Sequence, residues 1–229
     1  ESEIDQLVKS RNEAVACWWA KLGPVEAATL VRWTGAAASE NASQLLSPGV
    51  DLGAGATQPA WLQQPGEPLP AWLEALPELS AEAVEQLRLR QGFPAAPGEL
   101  NDSTNPFELG LAPWVSLNKG CYVGQETLAK LATYDGVKQQ LRHWHSGAAG
   151  SCTPGTTLFT ASGERAGVIT SALAGTDGLE GLALVRRSAL DAEELFAGGA
   201  DGTAKTGVAL EISVPAGFVA PPVGAGGLS

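Results

Sequence analysis

The chain has 229 residues, a length that allows one or two domains and a core that needs neither disulfide nor metal. Hydrophobic residues make up 44% and charged residues 17%, which excludes wholesale disorder. With 25 Asp and Glu against 14 Lys and Arg, the formal charge is −11, so the chain is not a general binder of nucleic-acid backbones. The apolar run 14–20 is far shorter than the roughly 20 residues that span a bilayer, so no membrane partner is expected. The opening Glu1-Ser2-Glu3-Ile4-Asp5 is acidic, unlike a signal or transit peptide, and predicts a cytoplasmic protein. Cys17, Cys121 and Cys152 are too sparse for a disulfide framework and suit a reducing compartment. The chain begins with Glu and contains no Met, which predicts a processed, engineered or fragmentary sequence.

Residues 4–20 carry a loosely helical apolar pattern that ends at Gly23-Pro24. Residues 27–33 read as a strand. Residues 47–77 are rich in Pro and Gly and read as a loop with one short helix near Trp72. The clearest helix covers residues 80–91, with Ser80 as N-cap, Glu82 and Glu85 near its start, Arg88 and Arg90 near its end, and Gly92 closing it. Residues 101–106 form a turn cluster. Residues 114–117 read as a short strand and residues 124–131 as the start of a helix. From residue 137 onward the pattern is strand-like at 137–144, 156–160, 166–172, 182–186 and 208–214, with a hairpin turn at Ser162-Gly163-Glu164. Short strands at this spacing predict a small antiparallel barrel. The change near residue 137 predicts domains 1–136 and 137–229.

The segment Lys119-Gly120-Cys121-Tyr122-Val123-Gly124-Gln125-Glu126 sits between the predicted strand and helix. Gly120 and Gly124 permit tight turns and close approach to a ligand or another chain. Cys121 lies beside Lys119 and ahead of a helix N-terminus, which predicts a more nucleophilic cysteine than an ordinary surface one. Gln125 and Glu126 can hydrogen-bond orphan N–H groups of the first turn or a polar ligand edge. The plainer reading makes Cys121 a small buried residue and the glycines turn residues.

This octet matches the K-G-C-[YF]-x-G-Q-E signature, and the chain resembles the YgfZ family, the folate-binding relatives of the glycine-cleavage T protein (aminomethyltransferase). Residues 87–94 resemble the family's R-x-x-x-G-x-P element, and residues 105–111 its P-x-E-x-x-L element. Residues 166–171 and 183–187 resemble two strands of its C-terminal barrel. The resemblance covers residues 80–214. It implies an α+β fold, with a partial folate-binding T-protein-like α/β domain followed by a small antiparallel β-barrel. It implies tetrahydrofolate or a derivative as ligand, held near Arg88, Glu108, Lys119, Gly120, Tyr122, Gly124, Gln125 and Glu126. It makes Cys121 the key functional residue. It implies iron–sulfur client proteins as partners and a role in iron–sulfur enzyme assembly or repair and in tRNA modification. The alternative is a tetrahydrofolate-dependent aminomethyltransferase. Against that alternative, Arg90 stands where the T protein has a pterin-contacting glutamate, and no segment matches its catalytic aspartate. The family's N-terminal part is expected to be absent.

His143 and His145 share one face of a predicted strand. A pairing with Cys121 as a thiol protease, or a metal pair, is weighed against ordinary strand residues, and the last is preferred; no metal site is expected. The Gly-rich segment 197–202 follows a possible helix and reads as a surface loop. Arg186-Arg187 reads as an exposed strand end that could hold an anion. Trp114 and Tyr122 could stack on a pterin or aryl ring, or pack in the core.

Overall fold

The computed structural model describes the backbone of five strands within residues 16–63, then residue 68 and residues 71–148, 152–198 and 207–224. The chain divides into two compact units, Glu1–Leu87 and Arg88–Ser229.

In the first unit, β1 (Ala16–Lys21), β2 (Thr29–Thr34), β3 (Val50–Asp51), β4 (Thr57–Gln58) and β5 (Ala60–Gln63) make two antiparallel sheets, of order β1-β2-β5 and β3-β4. Ala16 pairs with Thr34 and Lys21 with Thr29, while Thr29 pairs with Gln63. The helix expected over residues 4–20 is therefore wrong from residue 16 onward; its first part lies outside the described residues. The segment Ala-Cys-Trp-Trp-Ala-Lys is aromatic, and it pairs antiparallel with Thr29–Thr34, which is rich in β-branched residues. Cross-strand pairing outweighs a weak helical spacing. The expected loop at 47–77 likewise holds β3, β4 and β5. Strand β5 lies at the edge of its sheet.

Helix α1 (Ala71–Glu74) is the short helix expected near Trp72. Helix α2 (Ala81–Gln91) follows, and Ser80 caps it as its composition predicts: Oγ accepts from Ala83 N at 3.1 Å. Gly92 closes it in the left-handed region at φ +72°, and a Cβ there would lie 2.4 Å from Pro215 Cβ.

In the second unit, Asx turns shape residues 101–108. Asn101 Oδ1 accepts from Ser103 N at 2.9 Å, and Asn105 Oδ1 from Phe107 N at 3.1 Å and Glu108 N at 3.2 Å. Helix α3 (Gln125–Thr133) leads into the barrel strands β6 (Gln139–Ser146), β7 (Thr157–Phe159), β8 (Arg165–Gly175), β9 (Gly178–Arg186), β10 (Glu194–Ala197) and β11 (Val208–Ser213). They close antiparallel in the order β10-β11-β6-β9-β8-β7. Phe196 opposite Phe159 completes the ring. The expected hairpin joins β7 to β8, with Gly163 at φ +86°. Strand β10 corrects the reading of a helix ahead of the Gly-rich segment. Glu-Leu-Phe-Ala is too short to show a period, and its state is set by its neighbours β11 and β7.

The barrel core holds Trp144, Leu158, Ile169, Val185, Leu195 and Leu210, each 1% exposed or less. The indole Nε1 of Trp144 donates to Leu182 O at 3.1 Å, so the ring is buried without an orphaned donor. Outside the barrel wall, Leu89 of α2 packs with Leu109, Leu141, Leu182 and Leu184.

Truncating Trp144 to Ala should therefore cost about 3–5 kcal/mol, from lost transfer energy and the cavity left behind. Urea unfolding of Trp144→Ala should show a lower midpoint with an unchanged slope. A midpoint within error of the parent would contradict the placement of this ring.

Candidate functional site

The K-G-C-Y-V-G-Q-E segment is reached through a 3₁₀ turn, Ala112–Trp114, and not through the expected strand at 114–117. Pro113 presets the turn, and Val115 just after it is extended, at φ −107° and ψ 116°. From there side chains grip backbone. Ser116 Oγ accepts from Lys119 N at 3.2 Å, and the Tyr122 hydroxyl donates to Ser116 O at 2.9 Å. Gln125 Nε2 donates to Leu117 O at 2.9 Å and to Lys119 O at 3.1 Å. Gln125 thus spends its amide N–H groups on the carbonyls of residues 117 and 119; of the two expected partners, first-turn N–H groups or a polar ligand edge, the structure shows no bond to the former among the described residues. Gly124 caps α3 from the left-handed region at φ +89°, where a side chain would be strained.

These contacts hold Cys121 in the open. Its thiol is free and exposed, which removes the reading of a buried packing residue. Lys119 Nζ lies 5.4 Å from the centre of the Tyr122 ring. Glu126 pairs with Lys130 one turn along α3, at 2.7 Å on an exposed face. A Cβ on Gly120 would meet nothing within 4 Å. Trp114 is 55% exposed, so it does not pack in the core. Beside the loop lies a groove of about 500 Å³ lined by Pro113, Val115, Leu117, Val219 and Pro222 among others.

The other two predicted residues are built into polar clusters of their own. Arg88 Nη1 donates to Phe93 O at 2.7 Å and meets Glu99 Oε2 at 3.3 Å, while Nη2 donates to Ser171 Oγ at 2.9 Å. Ser171 Oγ in turn donates to Glu99 Oε1 at 2.7 Å. Glu99 is fully buried and also accepts from Ala95 N at 3.0 Å. Sequence reading missed Glu99; its only signal is an acid inside the Pro-rich exit from α2. Glu108 is buried, its Oε2 accepting from Asn105 N at 3.1 Å and its carbonyl from Leu141 N at 2.8 Å.

Glu180 is a further buried acid that sequence reading missed. Arg90 Nε and His143 Nε2 each lie 3.2 Å from its Oε2. Burial alone would push this carboxyl up, but the hydrogen bonds and charges of His143 and Arg90 outweigh burial and hold it below the ordinary value. Arg90 is thus engaged with Glu180. His145 Nε2 lies 3.3 Å from Asp177 O, so both histidines have partners on the barrel surface. Among the described residues no group of three or more His, Cys, Asp or Glu could hold a metal. Burial raises the pKa of the Cys152 thiol, and lowers that of Arg142 against the opposing pull of Asp191.

Residues 138–217 match the family described as CAF17, C-terminal beta-barrel domain. Over 121 residues, 51% of this chain, the sequence is 42% identical to a chloroplastic protein of Arabidopsis thaliana whose name assigns it provisionally to the transferases. The match spans 27% of that protein. Over 69 residues, 30% of this chain, it is 36% identical to the mitochondrial dimethylglycine dehydrogenase of Mus musculus, spanning 8% of that enzyme. The crystal structure of the glycine cleavage system aminomethyltransferase T from Bartonella henselae superposes with a TM-score of 0.60 at 19% identity, over 86% of this chain and 61% of that one. The fold is α+β of the aminomethyltransferase-T kind with an antiparallel β-barrel of the CAF17 type. No helix among the described residues is long and apolar enough to cross a membrane.

Exposure separates the two described thiols. Iodoacetamide should alkylate Cys121 at least about tenfold faster than Cys152 in the native chain, with the difference abolished in urea. Mass spectrometry after timed quenching reads this, and equal native rates would contradict the site as described. The depressed Glu180 carboxyl gives a second test. Its contribution is present above the unfolded carboxylate value of about 4.3 and is lost as pH falls through the lower folded value. Glu180→Gln should therefore be less stable than the parent near pH 7, with the gap closing on acidification. A gap independent of pH would remove this charge pairing as its cause.

Proposed function

We propose that this chain is a folate-binding accessory protein of the YgfZ type, which supports iron–sulfur enzyme assembly or repair and, through such an enzyme, tRNA modification. The observation that carries this reading is the 119–126 loop. Side-chain bonds from Tyr122, Gln125 and Ser116 fix its backbone, and the loop presents a free thiol to solvent. A thiol held for packing would be buried; one held out by four side-chain hydrogen bonds is available to a partner.

The loop's surroundings fit a folate. The groove of about 500 Å³ is within the usual size for small-molecule sites, and the exposed face of Trp114 suits a planar ring. Lys119 supplies an exposed ammonium for a carboxylate. Arg88 and Gln125 are occupied by protein groups, so their part is to shape the site and not to touch the ligand directly. When bound, a folate would supply one-carbon or redox chemistry; the chain's own residues orient it and hold Cys121 beside it. In this reading residues 1–136 carry the ligand loop and residues 137–229 the barrel. The proposed location is cytoplasmic; the chloroplastic Arabidopsis relative offers a plastid as the alternative.

The second reading, a tetrahydrofolate-dependent aminomethyltransferase, draws support from the fold shared with aminomethyltransferase T. The engagement of Arg90 with Glu180 weighs against it, since that position carries no carboxylate for a pterin.

Calorimetric titration with tetrahydrofolate and 5-formyl-tetrahydrofolate, anaerobic and reducing, tests the reading. Micromolar binding, about −8 kcal/mol, is expected, with loss of at least tenfold in Lys119→Ala. Cys121→Ser should keep the fold and the folate affinity yet fail to restore an iron–sulfur enzyme's activity. A fully active Cys121→Ser protein sinks the accessory role, and folate-dependent release of formaldehyde equivalents from an aminomethyl donor would establish the transferase instead.

A further inference from the structure

Three of the chain's 14 Lys and Arg lie on two segments that meet on the outside of the barrel. Lys138 directly precedes β6, Arg186 ends β9, and Arg187 opens the 3₁₀ turn Arg187–Ala189. Arg187 N donates to Lys138 O at 2.8 Å, which fixes the two segments side by side. Around them lies a groove of about 580 Å³, also lined by Glu108, Asp135 and Ser188.

The charges in this groove are not equivalent. The Arg187 guanidinium is engaged by Asp135, through both its carboxylate and its carbonyl. Glu108 is buried and accepts from Asn105 N. Lys138 and Arg186 are exposed, and neither has an ion-pair partner among the described residues. Two uncommitted cations therefore face one concave space, on a chain whose formal charge is −11. A concave wall also focuses their field more than a convex one.

We propose that this groove binds the oxyanion of a small molecule, carried on Lys138 and Arg186, with the Ser188 hydroxyl as a third donor. Arg187 is a fixed wall, immobilised by Asp135. The guanidinium of Arg186 can bind a carboxylate or a phosphate through two parallel N–H donors, and Lys138 adds a point charge. None of the lining residues belongs to the 119–126 loop; Glu108, which the resemblance places near the folate, lines this groove too, but it is buried and accepts from Asn105 N, and neither cation proposed here is part of the folate reading.

The test is titration of the full chain at low ionic strength with inorganic phosphate and, separately, with glutarate. One or both should bind, and the tighter of the two identifies the source of the oxyanion as phosphoryl or carboxylate. In the double variant Lys138→Gln with Arg186→Gln the affinity should fall at least about tenfold, with far-UV spectrum and melting temperature retained, because both side chains are exposed. Lys130→Gln should bind as the parent does. Absence of binding by both probes up to about 10 mM, or equal binding by the double variant, overturns the proposal.

Discussion

The second unit depends on a single strand, β6, that must be buried on both faces. On one face Trp144 fills the barrel interior; on the other Leu141 joins Leu89, Leu109, Leu182 and Leu184. The strand pairs with β9 along its whole length and with β11 at its far end, so it links the two halves of the ring. Its Leu141 N–H also donates to the carbonyl of Glu108, outside the barrel, at 2.8 Å. That bond anchors the 105–111 segment to the barrel wall. A strand with these duties cannot read as a clean alternation, since apolar residues are needed at both parities. Most of its buried polar atoms are partnered, His143 with Glu180, Ser146 with Ala209 O, and the Arg142 Nη atoms with Gln140 and the Leu141 carbonyl, while Arg142 Nε is buried without a hydrogen-bond partner among the described residues.

Burial organises the barrel, but the 119–126 loop is organised by hydrogen bonds. Of its residues, only Tyr122 and Gln125 are partly buried, and these are the two that donate back into the loop. Each such bond contributes roughly 0.5–1.5 kcal/mol, modest next to a buried side chain. Their effect is geometric. By fixing the carbonyls of residues 116, 117 and 119 they leave Cys121, Val123 and Lys119 facing water. The loop gains definition without the apolar cover that would hide its thiol.

What could be read from the sequence was what local chemistry decides. Ser80 and Gly92 bound α2 through contacts within a few residues, and Gly163 sits in a hairpin for the same reason. The longer barrel strands, β6, β8, β9 and β11, were legible because each has enough residues to show a pattern. Strand β10 was not, because four residues carry no period and their pairing partners lie elsewhere in the chain. Residues 16–21 misled because two adjacent tryptophans satisfy a helical spacing and a strand equally. The octet was visible as a string, but its exposure was not, since nothing within it states that Gln125 turns back onto carbonyls. The Arg88, Glu99 and Ser171 cluster joins residues 72 and 83 positions apart. Only tertiary structure could assemble it.

The same distinction between engaged and free groups orders the polar chemistry. Arg88, Arg90 and Arg187 each carry a carboxylate partner, and each ties one segment to another: α2 to its own exit, α2 to β9, and the 3₁₀ turn after β9 to the end of α3. An arginine so placed is costly to move, since leaving a buried carboxylate such as Glu99 or Glu180 unpaired carries the larger penalty. Residues committed in this way shape a site without serving it. Lys119, Lys138 and Arg186 hold no such duty among the described residues, and they stand beside grooves or at the crest of a loop. In a chain with nearly twice as many acids as bases, a cation left without an acid costs stability nothing only if water or a ligand's charge takes the acid's place. In the two proposals above it is therefore the uncommitted cations Lys119, Lys138 and Arg186, and not the paired arginines, that would meet a ligand's charge.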